Sequence, residues 1–212
     1  MRSYLALLRG MNVGGKNKLA MSALSERLTD LGLEGVSTVL ASGNVLLRSS
    51  KSARTLGQQI ESVLVEDFGL HEDPVKVLVL TAAQVEAIVE DKPDRFGDEP
   101  DTYHCDAIFV MGISASRAMT AFSPREGVDQ VWQGEGVIYS QRLSAQRTKS
   151  RLSTVMSSPL YKSMTIRSWS TTVKLNNRLS ALDISGVSCL TAQQVTRTRP
   201  SVEQRVSRRP RP

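Results

Sequence analysis

The chain has 212 residues, 40% of them hydrophobic and 5% aromatic, enough for one large packed domain or two small ones. No apolar run approaches the roughly 18 residues of a membrane span, and Cys105 and Cys189 offer no disulfide framework. The net charge of +6 resembles a nucleic-acid signal, but six arginines after Leu190 against the single Glu203 carry most of it, so the remaining chain is nearly neutral.

Ser3–Leu8 reads as a strand buried on both faces; it is too short for a secretory signal, so a cytoplasmic protein is expected. Met21, Leu24, Leu28 and Leu31 recur at three and four, which predicts a helix over 21–31 stopped by Gly32. Val36–Leu40 and Val45–Arg48 read as strands joined by the tight turn Ala41-Ser42-Gly43-Asn44. Leu56, Ile60 and Leu64 mark a second helix, capped by Ser52 and ending near Phe68, and Val75–Leu80 alternates as a fourth strand. Thr81 and Gln84 form a capping box that opens a third helix.

Residues 91–101 are acidic, contain Pro93, Gly97 and Pro100, and read as a linker. The order then recurs. A strand over His104–Met111 precedes a helix near Ala115–Phe122, a strand near Asp129–Gln133, a Gly134-Glu135-Gly136 turn and a strand over Val137–Ser140. A helix over Ser150–Met156, a strand over Met164–Ser168 and a helix over Ser170–Leu182 complete it. The expected fold class is α+β, two ferredoxin-like (βαββαβ) modules in tandem, a structural duplication without a sequence repeat. Its divisions are a first module over 1–92, a linker over 93–102, a second module over 103–182 and a basic tail over 183–212. The tail lacks apolar periodicity and reads as disordered.

Arg9–Lys18 combines three glycines, two asparagines and three cations between a strand and a helix. Glycines give the backbone freedom to wrap an anion, amides give donors, and the cations give charge. In the expected topology the end of the first strand meets the turn between the second and third. Arg9, Asn12, Gly14, Gly15, Lys16 and Asn17 then converge with Ser42, Gly43 and Asn44 as a first candidate ligand site. The alternative is a glycine-rich connector with solvated lysines. Gly10–Lys16 comes close to a phosphate-binding P-loop, but Asn17 stands where the magnesium-binding hydroxyl belongs.

The same topology gathers a second constellation: Lys149, Ser150 and Arg151 beside Arg167, Trp169 and Thr171. Trp169 either stacks on a base or sugar or belongs to the core. His104 and Cys105 point to opposite faces of a strand and make no nucleophile–base pair. No Cys/His spacing suits zinc, so no metal or cofactor is expected, and without a general base the question of catalysis stays open.

Taken together, Leu7–Lys18, Ser42-Gly43-Asn44, Thr148–Leu152, Pro159-Leu160-Tyr161 and Met164–Leu175 resemble the bacterial family known as domain of unknown function 1697. The resemblance spans about residues 3 to 180 and implies a compact cytoplasmic protein of two related α/β modules, with no established activity. Where the family usually carries Arg-Asn-Trp-Asn-Thr, this chain has Arg167-Ser168-Trp169-Ser170-Thr171, with both amides shortened to hydroxyls.

Two functions of different class follow. One is a protein that binds a phosphorylated or carboxylated small molecule at the Arg9–Lys18 loop. The other is an RNA-binding or nucleic-acid-binding protein that uses the basic tail and a module surface. No exposed aromatic pair on a central strand supports the second. A purely structural or interaction role comes third.

Overall fold

A computed structural model describes residues 1–12, 17–71 and 75–195, with side chains through residue 183. The first sheet holds β1 (Arg2–Arg9), β2 (Glu34–Thr38), β3 (Asn44–Ser49) and β4 (Lys76–Thr81), with α1 (Met21–Asp30), α2 (Ala53–Glu66) and α3 (Ala82–Glu90). The second holds β5 (Tyr103–Val110), β6 (Asp129–Gln133), β7 (Val137–Leu143) and β8 (Met164–Ser168), with the short α4 (Ala115–Met119) and the long α5 (Trp169–Val195).

All recorded pairings are antiparallel, and the strand orders β2-β3-β1-β4 and β6-β7-β5-β8 are the same arrangement twice. Helix starts follow the expected chemistry. The Ser52 hydroxyl accepts from Thr55 N at the head of α2, and Thr81 and Gln84 complete a capping box at α3. At α5 the Oγ of Ser168 accepts from the backbone N–H of Thr171.

β1 alternates between two cores. Tyr4, Ala6 and Leu8 pack with Leu24, Leu28, Leu56 and Ile60 under α1 and α2. Leu5 and Leu7 face the other way, into a core shared by the two halves. That shared core takes Val85 and Ile88 from α3, Ala107 and Phe109 from β5, Tyr139 from β7, and Leu175 and Leu179 from α5. A third core lies on the far face of the second sheet, with Ile108, Val110, Ile138, Val155 and Met164.

Two expectations need correction. The helix expected over Ser150–Met156 is absent; Ser144–Lys149, Leu152–Ser157 and Pro159–Ser163 form 3-10 turns instead. With five serines from Ser150 through Ser163 and Pro159 among them, this stretch has no stripe of buried residues to hold an α-helix on the sheet. The last helix does not end at Leu182 but runs to Val195, so the start of the expected tail is helical. The tail from residue 196 lies outside the described residues.

The acidic stretch over 93–102 sends one side chain into the core. Phe96 is 1% exposed and meets Trp132, Tyr139 and Trp169 edge to face, with ring centroids 5.1–5.9 Å apart. Gly97 at φ +80° lies so close to Trp169 that a Cβ would sit 2.3 Å from its Cδ1.

Candidate functional site

The end of β1, the Ser42–Asn44 turn and the second sheet meet at Arg167. This guanidinium is 7% exposed. Its Nε donates to Asn44 Oδ1, Nη1 to Thr165 Oγ1 and Ile166 O, and Nη2 to Leu8 O, Ser42 O and Gly43 O at 3.1–3.2 Å. Every N–H is used, and no carboxylate pairs with it among the described residues. Burial pulls it down to about 10, still protonated at neutral pH. The arginine of the second constellation is therefore a bolt from the second sheet into the first.

The turn it grips explains Ser-Gly-Asn. Gly43 has φ +76°, and an added Cβ would lie 2.9 Å from Leu8 Cβ, so only glycine fits. Asn44 is fully buried and donates through Nδ2 to Val39 O at 2.7 Å and to Ser42 Oγ at 3.2 Å. The glycine-rich loop rises from the same footing. Asn12, at φ 53°, donates to Leu19 O and Ala41 O and accepts from Leu19 N, while Asn17 Nδ2 donates to Gly10 O at 3.1 Å. Arg9 donates through Nε to Met164 O at 3.1 Å, and its guanidinium carbon lies 5.3 Å from the centroid of the Tyr161 ring. The structure thus brings Arg9, Asn12, Asn17, Ser42, Gly43 and Asn44 together and adds Arg167. Gly14, Gly15 and Lys16 lie outside the described residues.

The second constellation divides. Trp169 is 9% exposed in the aromatic core, and Thr171 bonds to Ser168 at the start of α5. Ser150 and Arg151 lie on the opposite face of the second sheet from Arg167, and Lys149 is exposed at the end of the turn before them. The reason is strand alternation: Ile166 lines a cavity with Ser150, and its neighbour Arg167 must point away.

That cavity has a volume of about 340 Å³, and its polar lining is Asp106, Arg142, Arg147, Ser150 and Ser153. Asp106 Oδ2 pairs with Arg142 Nη1 and Oδ1 with His104 Nε2, each at 3.2 Å. Next to it, Asp129 Oδ2 accepts from the backbone N–H groups of Arg125 and Arg151. Burial pushes the Asp129 carboxyl up, but those N–H groups, the Ser150 hydroxyl and the charge of Arg142 outweigh it and hold it below its ordinary value.

Sequence reasoning tested His104 only against Cys105 and missed this group. A legible signal was there, because His104 and Asp106 are two apart and share a strand face. Arg142 could be added only from the register that sets it opposite His104 and Asp129.

Two four-stranded antiparallel sheets with helices make this a mixed α/β protein. The chain belongs to the family described as Protein of unknown function (DUF1697), whose model matches residues 1–139. That span stops short of the expected 180, so the Thr148–Leu152 and Arg167–Thr171 blocks lie beyond it. Among solved structures the chain is similar to the conserved bacterial protein SP0830 from Streptococcus pneumoniae, at 26% identity and a TM-score of 0.70. The likeness covers 84% of this chain and 98% of that one. No curated protein matches. Among the described residues no helix is long and apolar enough to cross a membrane.

Proposed function

We propose that this protein binds a small anionic ligand, phosphorylated or carboxylated, at the Arg9–Lys18 loop, and that its halves are tandem ferredoxin-like modules divided near residues 92 and 103. The observation that carries the ligand reading is the buried Arg167, a cation without a carboxylate at the foot of the loop. Taking a charge out of water costs several kcal/mol, and hydrogen bonds to neutral acceptors offset only part of it. An anion above the footing offsets more. Among the described residues Arg9 hydrogen-bonds through its Nε alone, and in this reading its two terminal nitrogens serve the ligand. In this reading Lys16 contacts the anion, the N–H groups of Gly14 and Gly15 cradle it, and Asn12 and Asn44 hold the loop in place.

The RNA reading finds no platform on the first sheet, where most residues of β1 and β3 are buried on both faces.

Thermal-shift and calorimetric titration with inorganic phosphate and a panel of phosphometabolites tests the ligand reading. A saturable stabilisation that weakens at least about tenfold in Lys16→Ala and Arg9→Gln is expected, as for loss of a charge-assisted contact. Equal responses from wild type and Lys16→Ala, or no response to any anion, would overturn it.

A further inference from the structure

The two sheets repeat one strand order, so their residues can be matched by register. In the first sheet Tyr4 pairs with Leu47 on one side and with Thr81, the last residue of β4, on the other. In the second, Asp106 pairs with Ser140 and with Ser168, the last residue of β8. Tyr4 therefore corresponds to Asp106, and Leu47 to Ser140. One step further out, Arg2 and Ser49 correspond to His104 and Arg142.

This is the same patch of the same face, built two ways. In the first sheet α2 covers it with Leu56, Ile60, Val63 and Leu64, and Tyr4 and Leu47 below are 1% and 0% exposed. In the second sheet the equivalent crossover is the run of 3-10 turns, and Val155 is the one residue they bury. A core patch has become a hollow with a polar floor.

The charge of the hollow selects its occupant. Two guanidiniums, Arg142 and Arg147, face one carboxylate, Asp106, which is already shared between Arg142 and His104. Arg142 Nε is buried and has no hydrogen-bond partner among the described residues. The hydroxyl of Ser153 adds a rotatable donor, while that of Ser150 serves the Asp129 carboxylate. Asp129 is the other acid nearby, and its Oδ2 is occupied by two backbone N–H groups. On the remaining side the wall is apolar, formed by Leu152, Met156 and Ile166.

We propose that this hollow is a second binding site, independent of the glycine-rich loop, for a small oxyanion carried on a short apolar body, such as a short-chain carboxylate or an alkyl phosphate. The oxyanion sits between Arg142 and Arg147 with the Ser153 hydroxyl beside it, and the alkyl part lies on Leu152, Met156 and Ile166. A volume of about 340 Å³ admits a compact ligand and no more.

Titration of the full chain with butyrate, butyl phosphate and inorganic phosphate, followed by calorimetry, tests this. Saturable 1:1 binding of butyrate or butyl phosphate is expected, with inorganic phosphate weaker because it forgoes the apolar wall. Arg147→Gln, an exposed position, removes one cation and should weaken binding at least about tenfold. Ser153→Leu fills the hollow with apolar bulk and should abolish binding while the thermal midpoint holds or rises. Lys16→Ala should bind as wild type, which separates this site from the loop. Wild-type affinity in both Arg147→Gln and Ser153→Leu, loss of binding in Lys16→Ala alone, or no binding of any probe would each overturn the proposal.

Discussion

An alanine at position 43 has nowhere to put its methyl group. The position requires φ +76°, and Leu8 Cβ, Leu8 O and Met11 Cβ all lie within 3.1 Å of where the Cβ would stand. Left-handed backbone and overpacking together should make Gly43→Ala about 3 kcal/mol less stable by chemical denaturation, with an unchanged slope. A loss below about 1 kcal/mol would mean that the turn relaxes freely. Asp129 gives a second test at this scale. Its folded-state pKa is lowered, so its contribution is complete above the ordinary carboxylate value and fades as pH falls through the lower, folded one. Wild type should therefore lose stability below about pH 4, and Asp129→Asn should show a flatter acid limb there. Identical limbs would refute this role for the carboxylate.

Elements here are finished by partners from elsewhere in the chain. The last turn of α3 leaves carbonyls without helical partners. Ala87 O takes the N–H of Asp91, and Ile88 O takes the Tyr139 hydroxyl from β7 at 2.7 Å. Tyr139→Phe should destabilise the protein by about 1–2 kcal/mol, because it leaves a buried acceptor unmet. Burial, with Asp91 second, pushes the Tyr139 phenol up to about 12. That contribution is complete below about pH 10 and lost as pH rises toward 12. Arg167, lowered by burial, acts with the opposite sign in that window, so the readout is the difference between wild type and Tyr139→Phe. No such difference would show that the hydroxyl bond contributes nothing.

For the whole molecule, the shared core makes each half the lid of the other. Leu5, Leu7 and Leu46 are at most 1% exposed only because α3, α5 and the second sheet cover them. The full chain should unfold in one transition by near-ultraviolet and far-ultraviolet circular dichroism, and residues 1–92 alone should bind hydrophobic dye and melt without cooperativity. Two separated transitions would contradict the shared core. Arg167→Met tests the bolt: with Leu8 O, Gly43 O and Asn44 Oδ1 losing a charged donor, a loss of about 3 kcal/mol is expected. A near-neutral substitution would show that desolvation cancels the bonds.

Local rules were sufficient for much of this chain. The period of Leu56, Ile60 and Leu64, the Thr81–Gln84 box and the strands on either side of Ser42–Asn44 each follow from spacings within a few residues, and neighbours along the chain enforce them. The convergence of Arg9, Asn12 and Asn44 followed one step later, from strand order. What only the tertiary structure decided depends on residues from tens of positions to more than a hundred positions apart. Arg167 looks like a surface cation in sequence, yet its strand parity and the approach of the Leu8 and Gly43 carbonyls send it inward. Phe96 lies in an acidic, proline-bearing stretch, and only the closing of two sheets over it makes it core. The hollow at Asp106 exists because a serine-rich crossover failed to become the helix that fills its counterpart. Whether a face is packed or left open depends on what folds over it, and that information is not local.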